Sequence, residues 1–220
     1  PRAKALLQLA RWCHATGQMK KEDLIALFEE VLDMEAAWEK GYFFLARYFD
    51  ELMRDARARQ AGSEKATSKD GVARARLRNE GIVGGEDKHW LQYLHGVLQN
   101  YCRGLRHGHK HIFPALPRML TLFFDLGTSL VGDQAVIRAD GQLKISRDVQ
   151  RTLAAASTDL PLYQWYTAFP QLISRICHKH PETNRLVKAI CARVLAHYPQ
   201  QALWQFAVVS KSVVSTRKEA

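Results

Sequence analysis

The sequence has no run of apolar residues long enough to cross a lipid bilayer, which takes roughly 18–20 consecutive apolar positions. It also has few cysteines, four among 220 residues, and no two of them have the C-x-x-C spacing. Scattered cysteines in apolar helical stretches favour free thiols over disulfides or a zinc site. The composition therefore excludes a membrane span and does not support a disulfide framework or a structural metal.

Motifs for ATP-dependent catalysis are also missing. The glycine-rich stretch GIVGG at 81–85 has neither the spacing of a phosphate-binding loop nor a strand before it. Phosphoryl transfer by a protein kinase needs a glycine loop over the phosphates, a phosphate-pairing lysine and two aspartates, and none of these motifs is present. We expect no catalytic residue, no cofactor-binding residue and no metal ligand in this chain.

Positive charge is in excess, with a formal net charge of +10. Such a charge permits contact with nucleic acid or with an acidic partner, but it does not define a fold. The basic residues are spread over most of the predicted helices instead of one face, which disfavours direct nucleic-acid binding. A basic nucleic-acid-binding helical domain is therefore the second alternative function.

Helical periodicity covers nearly all of the chain outside two loops, and no segment makes a convincing strand. Gly17 is expected to end the first helix in a left-handed conformation, and Pro170 is expected to kink or break the helix around it. The fold class is predicted to be all-α, an α-solenoid of antiparallel helix pairs. Helices are predicted at about 2–16, 21–33, 35–57, 87–106, from the prolines at 114 and 117 to 131, 145–157, 160–178, 182–197 and 200–210.

The chain is predicted to have three parts. Residues 1–57 form a helical repeat segment, and 87–220 form a second helical part. Between them, 58–86 is rich in Arg, Lys, Gly and Ser with few large apolar residues, which indicates a basic flexible insertion. A second loop is predicted at 132–144.

Histidines alternate with cations in RGLRHGHKH at 103–111. The favoured interpretation is a helix C-terminus, where cations lie near the negative end of the helix dipole. Contact with a phosphate or an acidic partner comes second, and zinc last, because the cationic neighbours would repel a divalent ion. The candidate basic contact patch consists of Arg103, Arg106, His107, His109 and Lys110.

Two other groups have the residue types of a catalytic pair, but their side chains are not placed to act together. Cys177 and His178 are adjacent, so on a helix they point about 100° apart, and we interpret Cys177 as core and His178 and His180 as helix-end residues. The consecutive acids at 29–30 and 50–51 are interpreted as solvated faces instead of acid–base pairs.

Several sequence blocks, in this order, resemble the FAT domain of the phosphatidylinositol-3-kinase-related protein kinases, in its ATR-type branch. The likeness covers about four-fifths of the chain, and its most specific parts are ISRICH at 173–178 and PQQALW at 199–204. Departures are 58–86, which is longer than its counterpart, and Pro170, which replaces a small polar residue. The blocks are RAKALLQLARW, WEKGYFFLARYFDELM, PRMLTLFFDLGT, YTAFPQLISRICHKHP and YPQQALWQFAVVSKS.

The resemblance implies a scaffold of tetratricopeptide-like and HEAT-like helix pairs that curls around a C-terminal kinase domain just downstream. It implies a nuclear parent serine/threonine kinase that uses ATP and Mg, phosphorylates Ser/Thr-Gln sites, and signals DNA damage and replication stress. It also implies a homodimer and an ATRIP-like partner. The density of motifs near the C-terminus makes five residues candidate contacts with the kinase domain or the dimer partner: Tyr198, Gln200, Gln201, Trp204 and Lys211.

A free-standing helical-repeat adaptor is the first alternative, because it would show the same periodicity. Such an adaptor needs capped ends. Here the sequence begins directly with a helical pattern at Pro1 and ends in STRKEA, so we expect a scaffold segment of a larger kinase.

Overall fold

In the computed structural model of the chain, residues 2–79, 90–131 and 140–210 are described. These ranges contain ten α-helices and no strand, which confirms the predicted all-α class. None of the described helices is both long enough and apolar enough for a membrane span. The helices are α1 (Arg2–Thr16), α2 (Lys21–Met34), α3 (Glu39–Asn79), α4 (Trp90–His107), α5 (Ile112–Ser129), α6 (Asp140–Asp159), α7 (Leu162–Thr167), α8 (Phe169–Ser174), α9 (Pro181–His197) and α10 (Pro199–Ser210).

The first three helices share a small core of their own. Gly17 ends the α1 segment with φ of 66°, which confirms the predicted left-handed cap and allows the chain to reverse into α2. Leu7 of α1, Phe28 of α2 and Leu45 of α3 are almost fully buried against one another. Each helix buries only its apolar stripe, so the three depend on mutual packing for stability.

A larger core surrounds α4 and α5. Two glycines of α4 allow it to approach α3 closely: a Cβ on Gly96 would lie 3.1 Å from the Phe49 ring, and one on Gly104 would lie 3.2 Å from Cβ of Tyr42. Leu98 of α4 and Leu116 of α5 are fully buried in the same core. The α3–α4 contact therefore depends on small residues at the crossing.

Proline positions explain two features of the second half. Pro170 lies in the first turn of α8, and the chain breaks at Ala168 between α7 and α8, so the predicted break is confirmed. α5 begins at Ile112, two residues before Pro114 and close to the predicted start, but Pro117 lies inside the helix and not in its first turn. Proline at 117 removes the N–H that would bond to the carbonyl of residue 113, in the first turn of the helix.

Two predicted helix boundaries were wrong. α3 continues to Asn79, well beyond the predicted end near 57, and α6 already begins at Asp140. No proline interrupts 39–79, and a glycine inside a helix costs only about 1 kcal/mol, so loss of apolar periodicity did not mark a helix end. The segments 80–89 and 132–139 lie outside the described residues, and the three-part division of the chain stays a prediction.

Candidate interaction surfaces

Helix α10 is held against the rest of the molecule by one face. Ala202 is fully buried, and Phe206 is partly buried against the main core. The Gln205 side-chain amide donates a hydrogen bond of 3.2 Å to the Tyr166 hydroxyl. Tyr198 links α9 to α10, with its ring centroid 5.6 Å from that of Tyr166, so it is half-buried and supports the helix.

The opposite side of α10 is exposed, and we call Gln200, Gln201, Leu203 and Trp204 the α10 face. Trp204 is 84% exposed and Leu203 is 58% exposed, while both glutamines are also exposed. Large exposed apolar side chains next to polar groups are typical of protein contact sites. Sequence reasoning missed Leu203, although it is adjacent to Trp204, and the predicted contact Lys211 lies outside the described residues.

The five residues of the predicted basic contact patch, Arg103, Arg106, His107, His109 and Lys110, are all exposed, and we call them the basic corner. α4 ends at His107, which confirms the helix C-terminus interpretation. Two of these residues already have partners within the chain. Arg106 forms an ion pair with Asp159, and the His107 ring stacks on the Tyr42 ring with 5.7 Å between the ring centroids. A role of the basic corner in binding a partner stays a prediction.

His111, the third alternating histidine, faces a different environment. Its backbone N–H donates to Oε1 of Glu39 at 2.7 Å, its Nδ1 lies 3.1 Å from the same oxygen, and its ring stacks on Phe43 at 4.2 Å. His107 and His111 are therefore committed to different neighbours and do not converge on one point. Within the described ranges no group of three or more His, Cys, Asp or Glu side chains could hold a metal ion.

The interpretation of the acids at 50–51 as a solvated face was wrong. Asp50 is 8% exposed, and its carboxylate accepts two hydrogen bonds from Arg118, 3.0 Å from Nε to Oδ2 and 2.8 Å from Nη2 to Oδ1. The hydrogen bonds with Asp50 are the main reason that the pKa of Arg118 is raised. Glu51 pairs with His14 at 2.6 Å. Both partners are far away in sequence, so a local pattern of consecutive acids could not reveal them. The acids at 29–30 are exposed, as predicted.

The turn between α8 and α9 contains two histidines whose rings are held by hydrogen bonds. His178 Nε2 donates to the Phe124 carbonyl at 3.2 Å, and its Nδ1 accepts from the His180 N–H at 3.1 Å. His180 caps α9 by accepting from the Thr183 N–H at 3.3 Å. The helix-end interpretation of both histidines is confirmed. Cys177 is half-buried in the turn after α8 instead of in the core, because the chain leaves the helix before reaching it.

These two histidines predict a pH dependence of stability. Burial is the main cause that lowers the pKa of His178 and of His180 below 6.5. The unfolded chain therefore binds more protons than the folded chain, so stability is complete above pH about 6.5 and falls as the pH drops below it. We expect the melting temperature to decrease between pH 7 and pH 5.5, measured by circular dichroism.

The control is a variant with both ring titrations removed, His178→Gln with His180→Asn, since asparagine is a good helix N-cap. Its melting temperature is expected to fall less steeply over the same pH range. An equal slope in the variant and in the wild type would contradict the assignment to these two residues.

Comparison with protein families matches the chain in two parts. A model described as the FAT domain matches residues 1–121, from α1 into α5. A model described as "Serine/threonine-protein kinase ATR-like, HEAT repeats" matches residues 148–220, which include α7 to α10. The two matches follow each other along the chain without overlap.

Individual relatives align over almost the whole chain. It is 41% identical over 220 residues to serine/threonine-protein kinase ATR of Oryza sativa subsp. japonica, and 41% identical over 222 residues to that of Arabidopsis thaliana. Protein kinase rad3 of Schizosaccharomyces pombe is 22% identical over 227 residues. The alignments cover 99%, 99% and 98% of this chain, and the chain spans 8% of the length of each relative.

Proposed function

The chain belongs to the FAT domain family, and we propose that it is a non-catalytic helical scaffold segment of a serine/threonine protein kinase of the ATR type. Matches to a FAT model and an ATR-like HEAT-repeat model, in that order, support the assignment. The relatives are protein kinases of which this region is 8%, and the motifs of phosphoryl transfer are missing from the sequence. In this proposal the chemistry, with its ATP and Mg, belongs to a separate kinase domain.

The wider role of the parent protein follows from the relatives as part of the same proposal. The parent would phosphorylate Ser/Thr-Gln sites in the response to DNA damage and replication stress. It would act in the nucleus, as a homodimer with an ATRIP-like partner. The support is the 41% identity to proteins named serine/threonine-protein kinase ATR over nearly the whole chain.

The exposed α10 face is the observation that carries the scaffold role. One side of α10 is anchored through Ala202 and Phe206, so the helix presents Trp204 on a fixed support. A rigid, exposed tryptophan contributes a large contact area at a low cost in conformational entropy. We propose that the α10 face contacts the kinase domain or the second protomer and stabilises the active arrangement of the kinase.

The test uses the full-length parent kinase with Gln201→Ala and Trp204→Ala combined. Removing an interface tryptophan costs about 2 kcal/mol or more, so activity toward a Ser-Gln peptide is expected to fall by at least about tenfold. Size-exclusion chromatography with light scattering then separates the two partners: loss of the dimer indicates the protomer interface, and an intact dimer indicates the kinase domain.

Phe113→Ala is the matched control, because Phe113 is 73% exposed at the start of α5 and outside the α10 face. It is expected to leave activity unchanged. If the combined variant folds normally and keeps full activity, the segment is a passive spacer, and the adaptor function becomes the better explanation.

A further inference from the structure

An open cleft of about 570 Å³ lies between α3, the start of α4, the end of α5 and the turn after α8. This volume is within the range of ligand-binding sites and is sufficient for a few residues of an extended peptide. The cleft is lined by Arg57, Trp90, Asp125, Thr128, Ser129 and Arg175. It shares no residue with the α10 face or the basic corner, so it calls for a separate explanation.

Two arginines of the cleft contact aromatic rings and have no close ion pair among the described residues. The Arg57 guanidinium lies 4.0 Å from the centroid of the Trp90 ring, and that of Arg175 lies 6.0 Å from the Phe124 centroid. Within the described part of the chain neither arginine has a carboxylate oxygen within 4.0 Å, in contrast to Arg118. Arg57 is half-buried, and desolvation is the main cause that lowers its pKa. Asp125 of the same cleft offsets this charge in part, because its carboxylate acts to raise the pKa of Arg57. Since neither arginine has a close ion pair among the described residues, an anion that contacted both guanidinium groups would bind favourably.

The remaining lining groups accept hydrogen bonds. The hydroxyl of Thr128 donates to the Phe124 carbonyl at 3.0 Å, and that of Ser129 donates to the Asp125 carbonyl at 2.8 Å. Each oxygen keeps an accepting lone pair, although that of Thr128 also lies 3.4 Å from Nε2 of His178, and the exposed Asp125 carboxylate accepts as well. An isolated anion mainly accepts hydrogen bonds, so it would not pair with these acceptors. A peptide has backbone N–H groups that could donate to them.

We propose that this cleft binds a phosphorylated serine or threonine of a polypeptide segment, with Arg57 and Arg175 contacting the phosphate oxygens. A phosphate monoester carries nearly two negative charges at pH 7, and its oxygens match the planar fork of a guanidinium. A carboxylate has only two oxygens to share between two guanidinium groups, whereas a phosphate monoester has three acceptor oxygens. Stacking on Trp90 holds the Arg57 plane in place, so less side-chain entropy is lost on binding.

The experiment measures binding to the full-length parent protein by fluorescence anisotropy. The probe is a fluorescein-labelled peptide pool with one fixed phosphoserine and randomised flanking positions, compared with the same pool unphosphorylated. The wild type is expected to bind the phosphorylated pool at least about tenfold more tightly, because two charge-assisted contacts exceed 1.4 kcal/mol. The variant with Arg57→Gln and Arg175→Gln is expected to lose this preference.

Arg151→Gln with Arg185→Gln is the matched control, since it also removes two positive charges, both from side chains that are 80% exposed and lie outside the cleft. It is expected to change the affinity by less than about twofold. Arg175→Lys keeps the positive charge but not the planar guanidinium, so the affinity for the phosphorylated pool is expected to fall about fivefold. This variant tests the proposal even if Arg57→Gln fails to fold. The melting temperature of each variant reports whether its fold is intact.

Three results would overturn the proposal. The first is equal affinity of the wild type for the phosphorylated and the unphosphorylated pools. The second is an equal loss of affinity in the control with Arg151→Gln and Arg185→Gln, which would indicate non-specific attraction to a basic protein. The third is inorganic phosphate that displaces the peptide pool at concentrations equal to the peptide, which would indicate a small-anion site.

Discussion

Replacing Trp165 with alanine is expected to lower the free energy of unfolding by about 3–5 kcal/mol. Trp165 is fully buried in the main core, beside the equally buried Phe169. It belongs to α7, a helix of six residues that is too short to be stable without tertiary contacts. Removing its side chain leaves a large cavity and also removes the anchor of α7. Urea denaturation of the 220-residue chain, followed by helical circular dichroism, measures the change.

Trp165→Phe is the control for this prediction. Nε1 of Trp165 is buried and has no acceptor among the described residues, so the substitution removes an unsatisfied N–H and breaks no hydrogen bond. The expected loss is about 1–2 kcal/mol, since only part of the ring volume is lost. If Trp165→Phe proved as damaging as Trp165→Ala, the N–H would have an acceptor and cavity size would not explain the effect.

Arg118→Met is expected to lower the free energy of unfolding by about 2–4 kcal/mol. The substitution leaves the Asp50 carboxylate buried without its two hydrogen bonds, and an uncompensated buried charge is strongly destabilising. The lower end of the range reflects the Arg118 side chain, which is 34% exposed and so allows some water to reach the site. The same urea titration measures this loss.

The double variant Arg118→Met with Asp50→Leu provides the decisive comparison. An apolar pair of similar size often replaces a buried ion pair at little net cost, so the double variant is expected to recover most of the stability. Arg118→Lys keeps the charge but not the bidentate geometry and should lie in between. If the double variant were as unstable as Arg118→Met, the loss would come from packing of the arginine stem and not from the unpaired carboxylate.

Local sequence patterns, meaning apolar periodicity and helix-ending residues, predicted most of the helices. α1 ends where Gly17 was expected to cap it, and Pro170 separates α7 from α8. Both residues act on the backbone at their own position, through positive φ in one case and a missing N–H in the other. The end of α3 could not be predicted in this way, because its continuation to Asn79 has no matching apolar stripe and no breaker at 57.

Prediction of the candidate sites was partial for a related reason. The blocks of family resemblance pointed to α10, and the alternating histidines and cations at 103–111 pointed to the basic corner. The periodicity could not say that Trp204 is exposed while Ala202 is buried. The cleft was missed entirely. Arg57 and Arg175 are far apart in the sequence, and neither belongs to a motif of phosphate-binding residues.

The sequence by itself determined the all-α class, most helix positions, the lack of kinase motifs and the likeness to the FAT domain. These properties depend on residue identity and on spacing of three or four positions, which a linear sequence records directly. Only the tertiary structure decided that Asp50 is paired with Arg118, that Cys177 lies in a turn, and that Arg57 and Arg175 share a cleft. Burial and charge pairing depend on which distant helices meet, and the local pattern of a helix does not record its neighbours.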